Sequence, residues 1–267
     1  MTYCLAIKVK EGLLLLADGR ITSGNQVTNA SKVSLHGPAP DVAANDSGAA
    51  RAHDQFFGVM TSGLRSLRDK TLAYLDRDLR SPDGPTASSM LEAVDLYCKS
   101  LRQVAEEDRT AISESELSFN LHAIVSGQLA NDPEPTAYLV YPEGNWIEIG
   151  KRTPYLSIGS TAYGKPILDR ALTQDTSMLT ALKLAYLSFD STRLSAADVG
   201  FPLDVLTLAG EERVWRQAHY DYDDLREQRI WWNEHLKKLA DEMPDGPWAE
   251  RLVPGHDSKR LSLVSDD

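Results

Sequence analysis

Met1-Thr-Tyr-Cys-Leu-Ala-Ile-Lys-Val-Lys-Glu-Gly-Leu-Leu-Leu-Leu-Ala-Asp-Gly-Arg20 opens the chain, and its reading decides the fold. Residues 3 to 9 alternate and are rich in strand formers. Glu11-Gly12 has turn chemistry, and 13 to 18 is an apolar run ending at Asp18, so the stretch predicts a hairpin with a buried second strand. Removal of Met1 would leave Thr2 at the head of the first strand with both a hydroxyl and a free α-amine. An unassisted hydroxyl is a poor nucleophile, whereas an adjacent amine of pKa near ~8 can take its proton. Asp18, Arg20 and, just past the hairpin, Lys32 are the charged groups placed to surround it. Thr2 is therefore the first candidate for a catalytic residue.

Moving outward, Gly24-Asn-Gln is a turn signal, and Val33 to Leu35 returns as a strand that brings Lys32 back toward the hairpin. Residues 37 to 47, with two prolines and small residues, read as a loop. Phe56 to Thr61 is a strand predicted to enter a helix at Ser62-Gly63, with Leu64, Leu67, Thr71, Leu75 and Leu79 on one face. Met90, Val94, Tyr97, Leu101 and Val104 mark a second amphipathic helix. Alternation then predicts strands from Leu117 to Ala123, from Ala137 to Tyr141 and from Asn145 to Ile149, and a strand at 155–160. Helices follow at 166–172 and along the face Leu179, Leu182, Tyr186 and Phe189, and Leu203 to Leu208 closes as a strand. Strands, two helices, strands, two helices and a strand suit two packed antiparallel sheets with helices outside, an α+β fold.

Residues 1–215 are expected to form that domain. A charged segment follows, with Leu225, Trp232, Leu236, Leu239 and Met243 at helical spacing up to Pro244, so 216–254 is expected to be a C-terminal helical extension. Trp231 and Trp232 cannot both face one core, which sets a subunit contact beside the simpler role of capping the domain. Residues 255–267 are polar and read as a flexible tail.

Composition narrows the function classes. The formal net charge is −11, from 28 basic and 39 acidic residues, which opposes a phosphate-tracking surface and excludes nucleic acid as an expected partner. Six histidines are scattered without a second ligand at helical spacing, so neither a metal nor another cofactor is expected. The two cysteines, Cys4 and Cys98, match no metal or disulfide pattern and suit a reducing compartment, hence a cytoplasmic protein. No stretch reaches the ~18 apolar residues of a membrane span. Cys4 is read as a small core residue rather than a thiol nucleophile, and Arg65 as a surface arginine rather than a selector of acidic substrates.

Taken together, Thr2, the Gly12 to Arg20 strand end, Lys32, Val59-Met-Thr-Ser-Gly63 and Ile158-Gly-Ser160 resemble the proteasome β-subunit family of N-terminal nucleophile hydrolases. The Met-Thr-Tyr-Cys start, Tyr163-Gly-Lys-Pro-Ile-Leu-Asp169 and the Trp-rich C-terminal helix are most similar to its bacterial Anbu branch. The resemblance implies an αββα sandwich of two antiparallel sheets with helices on both outer faces. It also implies a threonine-type peptidase or amidase that self-assembles into a ring or open ring-like helix and acts on peptide or amide substrates. Whether an ATPase partner feeds it is not legible in the chain.

By the same resemblance Lys32 would depress the pKa of the Thr2 amine, Asp18 would orient Lys32, and Arg20 would brace the site. Gly63, at a helix N-terminus, would donate its N–H to the oxyanion, and Ser160 would join the network around the amine. Two departures from the pattern stand out. Lys32 arrives slightly early, which implies a tight loop over 24–31. Ser195 and Asp198 stand in the opposite order to the family's acid and hydroxyl. Each of these residues has an ordinary reading alone: a turn salt bridge for Asp18 and Arg20, a solvated charge for Lys32, a turn for Gly159-Ser160. Their joint presence favours the hydrolase over two rivals, a non-catalytic scaffold or peptide-binding shell and an amidase for a small peptide-like metabolite.

Overall fold

The apolar run of the opening hairpin is buried from end to end, as a strand covered on both faces requires. β1 (Tyr3–Val9) and β2 (Gly12–Asp18) pair antiparallel with Cys4 opposite Ala17 and Val9 opposite Gly12, and every residue of β2 is buried. The structure is a computed structural model that describes residues 2–23, 26–38, 51–52 and 55–253. The expected turn at Gly24-Asn25, most of the expected loop at 37–47, and the expected tail at 255–267 lie outside the described residues.

A short hairpin follows, β3 (Arg20–Ser23) with β4 (Gln26–Asn29), and the chain returns as β5 (Val33–His36). β6 (Arg51–Ala52) is a two-residue strand, and β7 (Phe57–Gly63) leads into the helical layer, α1 (Arg65–Arg80) and α2 (Met90–Glu114). Then come β8 (Leu121–Gly127), β9 (Thr136–Val140), β10 (Trp146–Glu148) and β11 (Tyr155–Gly159). A second helical pair, α3 (Lys165–Ala171) and α4 (Met178–Ser195), precedes β12 (Leu203–Ala209) and β13 (Val214–Tyr220).

One sheet has the order β11-β1-β2-β12-β13-β6 and the other β10-β9-β8-β7-β5. Alternation along the strands sorts the core into layers. Cys4, Ala6, Leu13, Leu15 and Ala17 of the first sheet meet Met60, Ile124 and Ala137 of the second between the sheets. The opposite face of the second sheet, with Phe57, Val59, Ala123 and Val125, packs on Leu67, Leu75, Met90, Tyr97 and Leu101 of α1 and α2. α4 covers β1 and β2. The result is the expected αββα sandwich.

Three local expectations are corrected. β8 starts at Leu121 rather than Leu117, which is 54% exposed, because α2 runs on to Glu114 and takes up the chain before it. The buried face of α4 keeps the expected Tyr186 and Phe189 but is otherwise made of Ala181, Ala185, Ser188, Asp190 and Thr192, while Leu179 is exposed. β13 was not anticipated: its residues alternate apolar and polar only weakly, yet Leu203–Ala209 pairs with it along its whole length.

Contacts divide the chain after Asp224. The second unit, starting at Leu225, contains α5 (Arg226–Glu242) and the short α6 (Ala249–Leu252). On α5 the rings of Trp231 and His235 stack with centroids 4.0 Å apart, and Trp231, Leu236, Leu239 and Met243 are exposed. No helix among the described residues is long and apolar enough to cross a membrane.

Candidate active site

The head of β1 and the end of β2 meet at one carboxylate. Asp18 is fully buried, and its Oδ1 accepts both the Tyr3 backbone N–H at 2.8 Å and the Lys32 ammonium at 2.7 Å. Its Oδ2 accepts the Gly200 N–H at 3.3 Å. Burial pushes the Asp18 carboxyl above its ordinary range, against the opposing pull of the Lys32 charge and of the hydrogen bonds from Lys32, Tyr3 and Gly200. A buried carboxylate needs such partners, and here they come from three separate stretches of chain.

Lys32 is itself buried, and its ammonium also donates to the Arg20 carbonyl oxygen at 2.6 Å. The Gly19 carbonyl receives the Ala30 N–H at 2.9 Å, so the β3–β4 hairpin closes tightly and delivers Lys32 to Asp18. The early arrival of the lysine therefore leaves its reach to Asp18 intact. The Lys32 carbonyl accepts the Thr61 N–H at 3.3 Å, which ties the lysine to the second sheet. The Arg20 guanidinium donates through Nη1 to the Ala197 carbonyl at 3.0 Å.

Thr2 is held by its main chain, and only 7% of its surface is exposed. Its carbonyl accepts the Ser160 N–H at 2.7 Å, just beyond β11, whose Gly159 is opposite Tyr3. Gly159 has φ +88°, and a Cβ there would stand 1.8 Å from the Thr2 carbonyl oxygen. Only glycine admits that approach. One residue further along the chain from Thr2, the Tyr3 hydroxyl hydrogen-bonds Ser188 Oγ on α4, and both lie against Gly164.

Gly63 does not sit at a helix N-terminus as expected. It is the last residue of β7, with φ +140°, and α1 begins at Arg65 after Leu64 as its N-cap. The ladder still orients its N–H. Thr61 N–H points to the β5 side and Leu64 N–H to Asn120 O at 2.9 Å, so alternation directs the Gly63 N–H toward the β5 side, where Lys32 enters. Arg65 is exposed and pairs with Asp69 at 3.3 Å.

Ser195 is the last residue of α4 and is exposed, and Asp198 is half-buried in the following loop. To the Asp18–Lys32–Arg20 group that loop sends two main-chain groups, the Gly200 N–H and the Ala197 carbonyl. Sequence reasoning quoted Gly159 only as part of the Ile158-Gly-Ser160 turn and gave Gly200, two residues past Asp198, no role. It also missed Tyr3 and Ser188, for which no local signal exists. Cys4 lies fully buried beneath the site with its thiol pushed far up by burial, a core residue and no nucleophile.

Two facing antiparallel sheets with helices on both outer faces, and Thr2 at the head of a strand within one of them, match the N-terminal nucleophile hydrolase type of fold. Within that type, the solved structures that this chain resembles are Anbu proteins. The helical assembly of the Anbu complex from Pseudomonas aeruginosa matches at 29% identity and a TM-score of 0.81, over 93% of this chain and 99% of that one. Anbu, the ancestral beta-subunit, from Yersinia bercovieri matches at 27% and 0.78, over 91% of this chain and 98% of that one. A (Gly-1) mutant of Anbu from Hyphomicrobium sp. strain MC1 matches at 26% and 0.78, over 92% and 99% respectively. No family model and no curated protein matches the chain.

Proposed function

We propose that this chain is an N-terminal threonine hydrolase that cleaves peptide or amide bonds inside a homo-oligomeric particle in the cytoplasm, with Thr2 as nucleophile once Met1 is removed. The observation that carries the reading is the buried Lys32–Asp18 pair, whose shared oxygen also fixes the residue next to Thr2. Lys32 beside the amine lowers its pKa and favours the neutral, proton-accepting form, while Asp18 holds the ammonium and offsets its charge. Thr2 Oγ attacks the substrate carbonyl carbon, and its proton passes to the α-amine, through a water. The Gly63 N–H donates to the oxyanion. The proton then leaves with the departing amine, and water hydrolyses the threonine ester to free the acid and restore the hydroxyl. Ser160 and Arg20 support the geometry, and Ser195 and Asp198 lie at its margin.

The Anbu neighbours, one of them described as a helical assembly, support self-association. The exposed stripe on α5 is consistent with a subunit contact there. The observation that favours a scaffold instead is the exposure of Ser195, which leaves the departure from the family pattern uncompensated by that hydroxyl.

The test is intact mass after incubation with an epoxyketone, which bridges an N-terminal amine and its β-hydroxyl. The expected result is one adduct per chain lacking Met1, absent in Thr2→Ala. A fully processed, assembled chain that takes no adduct would sink the hydrolase reading and leave the scaffold.

A further inference from the structure

Beside the buried pair lies an open cleft of about 630 Å³, whose lining includes Arg20, Gly200, Phe201, Asp221, Tyr222 and Asp223. It is distinct from Thr2, Gly159 and Ser160, none of which lines it. Its volume falls in the range of sites for small ligands. Its chemistry is of both signs: two arginines, two exposed carboxylates, and two rings, Phe201 and Tyr222, set edge to face with centroids 5.5 Å apart beneath the Arg193 guanidinium. The charge of Arg193 is taken up by Asp190 at 2.6 Å. Arg20 spends one guanidinium nitrogen on Ala197, which leaves further donors of its fork for a carboxylate.

We propose that this cleft binds short peptides with free termini. The carboxylate engages Arg20, the ammonium engages Asp221 and Asp223, and an apolar side chain lies against Tyr222 and Phe201. A purely anionic ligand would face two carboxylates, and a purely cationic one would face Arg20, so a zwitterion suits the lining. The choice of a peptide among zwitterions rests on the hydrolase reading, which makes such molecules available.

The cleft is joined to the candidate active site without an intermediary. The main-chain carbonyl of Arg20 accepts the Lys32 ammonium, and the Gly200 N–H donates to Asp18. Gly200 lies directly on the Arg20 guanidinium: a Cβ there would stand 2.5 Å from Cζ. A peptide that draws on Arg20 would therefore shift the groups that set the Thr2 amine, a feedback from peptide occupancy to reactivity.

The experiment is a calorimetric titration of assembled Thr2→Ala protein, which cannot supply a peptide of its own, with Ala-Leu-Ala. N-acetylated and C-amidated forms of the same peptide serve as controls. Saturable binding is expected, weakened about tenfold by capping either end, as for the loss of one charge-assisted contact. Tyr222→Ala or Asp223→Asn, both at exposed positions, should weaken it about fivefold or more. No saturable heat, or binding indifferent to the caps and to both substitutions, would overturn the proposal. In the wild-type chain, saturating peptide should change the rate of epoxyketone adduct formation at least about threefold, and an unchanged rate would overturn the feedback. If the wild type forms no adduct at all, the hydrolase reading fails while the titration still decides whether the cleft binds peptide.

Discussion

Lys32 and Asp18 form an ion pair at 2.7 Å in which neither side chain is more than 5% exposed. A pair so placed weakens sharply when one partner is lost, because the survivor stays charged and unsolvated. Lys32→Met should cost about 3–5 kcal/mol of folding stability, whereas the double variant Lys32→Met with Asp18→Asn should recover more than half of that loss. Urea midpoints of the assembled proteins measure both. A double variant no more stable than Lys32→Met would mean that the pair is not what the buried carboxylate depends on.

The same logic, at a wetter site, sets a pH dependence. His36 on β5 donates through Nδ1 to the Asp76 carboxylate on α1 across 2.7 Å, and Arg80 adds a second contact at 3.3 Å. Partial burial works to raise the Asp76 carboxyl, but the His36 hydrogen bond and then the charges of His36 and Arg80 outweigh it and hold the group below the ordinary carboxylate range. A depressed carboxyl stabilises the fold above its unfolded pKa, and that stabilisation is lost as pH falls through the lower folded value. Asp76→Asn should therefore cost about 1–2 kcal/mol at pH 7, with the gap to the parent closing below about pH 4. A gap independent of pH would show that Asp76 acts through packing alone.

Backbone approach at Gly159 makes a sharper claim on the site than any side chain around it. Alanine there adds a Cβ to a residue at φ +88° and aims it at the Thr2 carbonyl. The strained conformation alone costs about 1–3 kcal/mol. Thr2 must then move, so Gly159→Ala should lose epoxyketone reactivity at least about a hundredfold, in keeping with a displacement near 1 Å, while the particle still assembles. Native size by light scattering and adduct rate by mass spectrometry separate the two effects. Retained reactivity would mean that the Thr2 carbonyl contact does not position the nucleophile.

These contacts also mark how far the sequence could be read. Strand order and helical faces were legible wherever one periodicity ran for several residues, as in Leu13–Ala17 or along Leu67, Thr71, Leu75 and Leu79. They were not legible in β13, where pairing with β12 overrides a weak pattern, or in part of α4, where small residues rather than Leu179 are buried. At the site, Thr2, Asp18, Arg20 and Lys32 could be named because charged residues at strand ends are conspicuous. The main-chain partners of Asp18, the Tyr3 and Gly200 N–H groups, could not be, since their roles depend on register, and Ser160 was named for the network around the amine rather than for its N–H to the Thr2 carbonyl.

That distinction is testable at the loop after α4. If it serves the site through its backbone, Ser195→Ala should leave the adduct rate within about twofold, as expected for an exposed surface hydroxyl. Gly200→Ala should behave quite differently, because its Cβ would meet the Arg20 guanidinium at 2.5 Å and push the N–H away from Asp18. Arg20 is a flexible side chain and can retreat, so the fold should survive with a loss of about 1–3 kcal/mol, the range for overpacking. The adduct rate should fall about tenfold or more as Asp18 loses a donor and Arg20 loses Ala197. Were Ser195→Ala to fall as far as Gly200→Ala, the hydroxyl would be a working member of the network despite its exposure, and the loop's contribution would have to be assigned to side chains after all.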